Sequence, residues 1–143
     1  MAIIADAGGV YGLLNRRDSA HAKLRAAVEQ ARDRIVIPAP VLGEIDYLLR
    51  ARIGTQALLR FLSDVQIGAF NVEPLTTNDL ERCSALMAKY SNLDLGLNNA
   101  SVVAIAERLH SRRILTVDER DFRAVVPSSG KPFRLLPADD SPG

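Results

Sequence analysis

Tryptophan is absent from this chain, and aromatic residues make up only 5% of it. A stacking platform for single-stranded nucleic acid depends on such rings, so the composition argues against one. There is one cysteine, Cys83. That excludes an intrachain disulfide, and no CxxC or Cys/His zinc spacing is present. Cys83 falls on the apolar stripe of a helical segment and reads as core. The two histidines, His21 and His110, stand near helix ends without a partner pattern and read as surface residues. No apolar run approaches the roughly 20 residues of a membrane span. The opening MAIIADAGG lacks the basic start and long apolar stretch of a secretory leader. A cytoplasmic protein with no membrane contact is therefore expected. Charge of one sign is lacking too. The net charge is +1, so any nucleic-acid contact has to come from a local patch.

What is present is an ordinary globular composition, 48% hydrophobic and 24% charged over 143 residues, enough for one domain with a buried core. Residues 1–137 read as that domain, and the Pro-, Asp-, Ser- and Gly-rich tail 138–143 is expected to be disordered. Short apolar runs at 2–5, 34–37 and 114–117 suit strands buried on both faces. Residues 70–75 and 133–136 are weaker strand candidates. Gly8-Gly9 is expected to open a turn. Helical spacing covers 18–31, a segment after Pro40 (Val41, Glu44, Ile45, Leu48 and Leu49 on one face), 55–65 (Leu58, Leu59, Leu62 and Val65 inward), 77–90 (Leu80, Cys83, Met87 and Tyr90) and 98–109 (Val102, Ile105, Ala106 and Leu109). Strands alternating with helices predict a three-layer α/β/α sandwich around a central, mainly parallel sheet.

In such a sheet ligands sit outside the carboxyl ends of the strands, which gives the acids meaning. Asp6 closes the first strand and Asp118 closes a later one, with Asp121 three residues on. Either alone could be a turn or N-cap residue. Glu44 lies inside an apolar stripe, where a carboxylate needs a cation or strong donors; an arginine partner is one way to supply them. Carboxylates on one edge repel unless something positive lies between them: about 4 kcal/mol per pair at 4 Å and an effective dielectric near 20. An all-oxygen cluster without His or Cys suits Mg²⁺ or Mn²⁺. Such an ion can generate hydroxide and clamp a phosphate.

The order of these features resembles a known family. A strand ending in Asp6, the helix start Pro40-Val41-Leu42-Gly43-Glu44, the stretch from Leu95 to Leu109 and the T-x-D-x-x-D-F stretch from Thr116 to Phe122 together resemble PIN-domain ribonucleases, and more narrowly the VapC toxins of bacterial type II toxin–antitoxin modules. The resemblance implies a Mg²⁺- or Mn²⁺-dependent endoribonuclease, a homodimer, and a VapB-type antitoxin as partner. It implies a metal site carried by Asp6, Glu44, position 99 and Asp118, with Asp121 as a further acid. Asp6 and position 99 would be the closest ligands.

At position 99, where the family pattern places an acid before Ala-Ser, this chain has Asn. Asn98 or Asn99 also suits an N-cap. An amide carbonyl can ligate a hard cation, but without a charge. Impaired metal binding and little nuclease activity are expected, or a silent module of the same fold that binds antitoxin or RNA without cleaving. A phosphoacceptor receiver-type domain fits poorly, because Ala5-Asp6-Ala7 lacks adjacent acids. Arg113, Arg120 and Arg123 surround the Asp118 segment and are candidates for gripping RNA phosphates.

Overall fold

A computed structural model describes residues 1–140. The expectation of disorder at 141–143 lies outside the described residues. The rest of the expected tail is in place. Asp139 accepts the Leu135 N–H at 2.8 Å and pairs with Arg123.

Five short strands, β1 (Ala2–Ala5), β2 (Arg34–Pro38), β3 (Asn71–Glu73), β4 (Arg113–Leu115) and β5 (Arg134–Leu136), form one sheet in the order β3-β2-β1-β4-β5. Every pairing is parallel, so the sheet is wholly rather than mainly parallel. Ile3, Ile4, Val36, Ile37, Ile114 and Leu115 are buried, as a sheet covered on both faces requires.

The helices are α1 (Ala7–Leu14), α2 (His21–Ala31), α3 (Val41–Arg52), α4 (Thr55–Gln66), α5 (Thr77–Lys89), α6 (Leu97–Arg108) and α7 (Glu119–Ala124). α1 packs on α2 and α3, and α3 on α4, while α6 packs on α5 and lies against β2, β1 and β4. The chain steps outward from β1 to β3, then crosses back to β4. With right-handed crossovers that reversal puts the two helix groups on opposite faces. It also makes the gap between β1 and β4 the switch point where ligands bind in such sheets. No helix among the described residues is long and apolar enough to cross a membrane.

Several expectations shift. Gly8-Gly9 opens no turn; both belong to α1. A Cβ on Gly9 would sit 2.3 Å from the Leu115 carbonyl oxygen. The glycine is there because α1 lies directly on β4. α6 is not a one-sided helix: Ala100 through Ala106 are all buried, which makes it the central helix of its layer. On α4 the buried residue is Phe61, while Leu59 and Leu62 are 49% and 39% exposed. On α5 the inner face is Asp79, Cys83 and Leu86, with Leu80 and Met87 outside. Both shifts are about one position around a helix, because α4 is covered by α3 and α5 by α6.

Asp79 is the unexpected buried charge. Its carboxylate accepts the Thr76 backbone N–H at 2.9 Å and the Arg108 Nε at 3.1 Å, tying the start of α5 to the end of α6. Burial pushes its pKa up, but the bonds from Thr76 and Arg108 outweigh that and hold it below the ordinary carboxylate value. Cys83 is buried and free, with its Sγ 4.0 Å from Ser101 Oγ. His21 is partly buried, its Nδ1 3.1 Å from the Gly12 carbonyl, whereas His110 is exposed.

Candidate active site

β1 ends at Ala5, and Asp6 becomes the N-cap of α1. Its backbone N–H donates to the Leu115 carbonyl at 3.2 Å, so the residue is fixed by the last rung between β1 and β4. One carboxylate oxygen accepts the Gly9 N–H at 2.7 Å, and the other accepts the Thr116 hydroxyl. Asp6 is only 6% exposed, and no Arg, Lys or His among the described residues pairs with it. Burial raises its pKa to about 6. The bonds from Thr116 and Gly9 work against that rise, and the charges of Asp118 and Glu44 add to it.

β4 stops at Leu115, two residues short of the expected run, and Val117 is 51% exposed. Thr116, buried just past the strand, organises the turn. Its hydroxyl oxygen accepts the Asp118 N–H at 2.9 Å while its hydrogen serves Asp6. Asp118 then caps α7. The segment carrying Asp121 is therefore a six-residue helix, too short to show an apolar period. Asp121 lies in its first turn.

Glu44 sits in the first turn of α3 and is exposed, not buried as its helical spacing suggested. The first turn of α3 stands at the carboxyl edge of the sheet, where an inward-facing position meets the pocket instead of the core. Nor is its partner an arginine. Asn98 Nδ2 donates to Glu44 at 3.0 Å. Asn99 Nδ2 donates to Asp121 at 2.9 Å. Neither asparagine caps α6, whose N-cap is Gly96. Both face the acids.

Asp6, Glu44, Asn99, Asp118 and Asp121 thus line one pocket of about 280 Å³, together with Asn98 and Asp94. Asp94 is a fifth carboxylate, one that sequence reasoning missed. It follows a short 3-10 turn at Ser91–Leu93 and adopts a left-handed backbone, φ 52°, which Asp tolerates better than most residues. The Leu93-Asp94-Leu95-Gly96 segment carried no periodic signal to mark it. Thr116 was visible only as the first residue of T-x-D.

Among the described residues no three His, Cys, Asp or Glu side chains stand together closely enough to ligate one ion. The donor set itself is hard oxygen throughout. Mg²⁺ commonly takes one or two carboxylates and completes its shell with water and phosphate oxygens, so these residues fit that ion without forming a closed cage.

The basic candidates separate. Arg113 begins β4, at the opposite edge of the sheet, and pairs with Asp33; it does not reach the pocket. Arg123 bridges Glu119 at 2.8 Å and Asp139 at 2.6 Å, so its charge is already matched. Only Arg120 of the three is both beside Asp118 and outside any ion pair among the described residues.

A family model described as "PIN domain" matches residues 3–126. Among curated proteins, a protein named Ribonuclease VapC26, from Mycobacterium tuberculosis, is 28% identical over 135 residues, which is 94% of this chain and all of the relative. Among solved structures, M. tuberculosis VapC20, titled a sarcin-ricin loop cleaving toxin, superimposes with a TM-score of 0.71 at 19% identity, over 81% of this chain and 89% of its own. VapBC2 from Rickettsia felis, solved with a fragment of promoter DNA, gives a TM-score of 0.65 at 12% identity, over 87% of this chain and 93% of its own.

Proposed function

Since the chain belongs to the PIN-domain family, we propose that it is a toxin ribonuclease of a toxin–antitoxin pair, an endonuclease whose RNA-cleaving site is the acid pocket and whose cofactor is Mg²⁺ or Mn²⁺. The observation that carries this reading is Asp6: a buried carboxylate with no Arg, Lys or His partner among the described residues, at the switch point of the sheet, with four more carboxylates round the same pocket. A divalent ion held there would polarise a water toward hydroxide and offset the charge of the phosphate.

The residues divide the work by position. Asp6 offers an oxygen fixed by Gly9 and Thr116, so its direction is set before anything binds. Glu44, Asp94 and Asp118 are exposed and suit the holding of waters and of the ion's outer face. Asn99 brings amide N–H groups where the family pattern has an acid, and spends one on Asp121. That lowers the negative charge of the pocket and with it the affinity for a cation.

A second reading is supported by the same two asparagines. With Glu44 and Asp121 each satisfied by an amide, the site is partly neutralised from within, as a silent binding module would be. Asn99→Asp separates the readings. The new carboxylate would face Asp121, a repulsion of about 4 kcal/mol at about 4 Å and an effective dielectric near 20 without a cation between them. The variant is expected to melt lower than the unaltered chain in EDTA, to regain stability with Mn²⁺, and to cleave RNA at least about 100-fold faster. Equal cleavage by both chains would remove impairment at Asn99. No cleavage by either would favour the silent module.

A VapB-type antitoxin and a second copy of the chain are the proposed partners. Support for the antitoxin comes from the likeness to the R. felis VapBC2 structure; Tyr47, Leu59, Leu62 and Ile67, on α3 and α4 or just after α4, are exposed apolar residues that a partner could cover.

A further inference from the structure

Four arginines gather away from the acids. Arg16 and Arg17 follow α1, Arg52 closes α3, and Arg60 belongs to α4. Together they line a groove of about 920 Å³, with Asn15 and Ser63 in the same wall and Asp64 as its one acid. All four are exposed. The chain has fifteen arginines, and seven are held in ion pairs: Arg25, Arg50, Arg82, Arg108, Arg113, Arg123 and Arg134. None of the groove four makes an ion pair among the described residues. Arg52 is held instead over the Tyr11 ring, 5.2 Å from its centroid, which fixes the guanidinium without neutralising it. A chain of net charge +1 thus concentrates four positive charges against one negative in a single groove.

The placement relates the groove to the acid pocket. α1 starts at Asp6 and ends beside Arg16. α3 carries Glu44 in its first turn and Arg52 at its end. The two helices pack on each other. At about 1.5 Å per residue, each covers about 12 Å between an acid and an arginine. Both helices therefore run from the acids to the arginines.

We propose that this groove grips the phosphates of single-stranded RNA and lays the strand along the exposed face of α3 toward the acid pocket. An acid pocket repels phosphates, so RNA affinity has to be supplied elsewhere. Guanidinium forks match phosphate oxygens, while Asn15 and Ser63 suit contacts to phosphate or ribose. With few aromatics in the chain, the grip is electrostatic and carries no base preference of its own. The inference takes the identity of its polymer from the nuclease reading, but not the cleavage.

The test is fluorescence anisotropy of the full chain with a fluorescein-labelled single-stranded RNA of about twenty nucleotides, in EDTA, across a KCl series. The triple variant Arg16→Gln, Arg17→Gln, Arg60→Gln is expected to weaken binding at least about tenfold and to flatten the slope of log K against log salt by about 2. The triple Arg32→Gln, Arg34→Gln, Arg112→Gln removes the same charge outside the groove and is expected to stay within about twofold of the unaltered chain. Melting curves check the fold; should the groove triple melt early, Arg60→Gln alone is expected to flatten the slope by about 0.7. Equal loss in both triples, or none in the first, overturns the proposal. So does a groove triple that keeps its RNA affinity and loses only binding to a polyglutamate peptide. Because no cleavage is read, an inactive Asn99→Asp chain would count against the catalytic reading alone, and unchanged RNA affinity in the groove triple against this one alone.

Discussion

Two buried aspartates stand at helix starts among the described residues, Asp6 as the N-cap of α1 and Asp79 in the first turn of α5, and they are provided for in opposite ways. Asp79, 4% exposed, has Arg108 and a capping-box N–H, and its carboxyl is held below the ordinary range. Asp6, 6% exposed, has one N–H and one hydroxyl and no cation, and burial lifts it to about 6. One acid is a closed joint between α5 and α6. The other stands at the sheet edge without an Arg, Lys or His partner among the described residues. The difference teaches where to look for chemistry: a buried charge is informative when its partner is missing.

The largest test of this contrast is pH. A folded-state pKa raised from 3.8 to about 6 means that the folded chain holds a proton the unfolded chain has released. Stability from that proton is present below the unfolded value and lost as pH rises through about 6. Asp6→Asn removes the loss. Its advantage in urea unfolding over the unaltered chain should grow by up to about 3 kcal/mol from about pH 4 to about pH 7, then level off. A flat difference would mean that Asp6 is not the uncompensated acid described above.

Metal comes next in size. With the acid restored by Asn99→Asp, Mn²⁺ at a hundredfold excess over its Kd should add about 2.7 kcal/mol at neutral pH. That gain should shrink below about pH 6, where a proton holds Asp6, and vanish when Asp6→Asn is added. The arginine-paired site offers the counter-test. Asp79→Asn should cost about 2 kcal/mol at neutral pH through the lost ion pair and weakened cap, and Mn²⁺ should not recover it. Because the pKa of Asp79 is lowered, that cost should fade on acidification below its folded value, the reverse of Asp6.

The smallest effect tests Thr116. Thr116→Val removes the hydroxyl that supports ionised Asp6 and should cost about 1 kcal/mol above pH 6. Carboxyl NMR should find the Asp6 midpoint higher than in the unaltered chain. An unmoved midpoint would remove Thr116 from the site.

Much of this was legible in the residues. Asp6 and Asp118 were visible because each ends an apolar run, and in a parallel sheet all such ends share one edge. Asn99 stood out only against a family pattern. What the sequence hid has physical causes. α1 was obscured by Gly8 and Gly9, which look like turn residues but serve close packing on Leu115. α7 was too short to be periodic. Glu44 shares a helical face with buried residues, yet helical phase says nothing about where along its axis a helix outruns the sheet. Asn98 and Asn99 resembled caps because the true start, Gly96, lies earlier and has no side chain to announce it. Asp94 depends on a backbone turn with no pattern to predict it.

The Thr116 hydroxyl reaches Asp6 across 110 positions of the chain. That single bond sets a schedule. While the protein is being made, Asp6 and Glu44 emerge well before the strand that fixes Asp6 and the helix that brings Asp121. An N-terminal fragment has acids and no site. If the intact pocket cuts RNA, a ribosome making this chain is shielded from its own product until β4 and α7 have emerged.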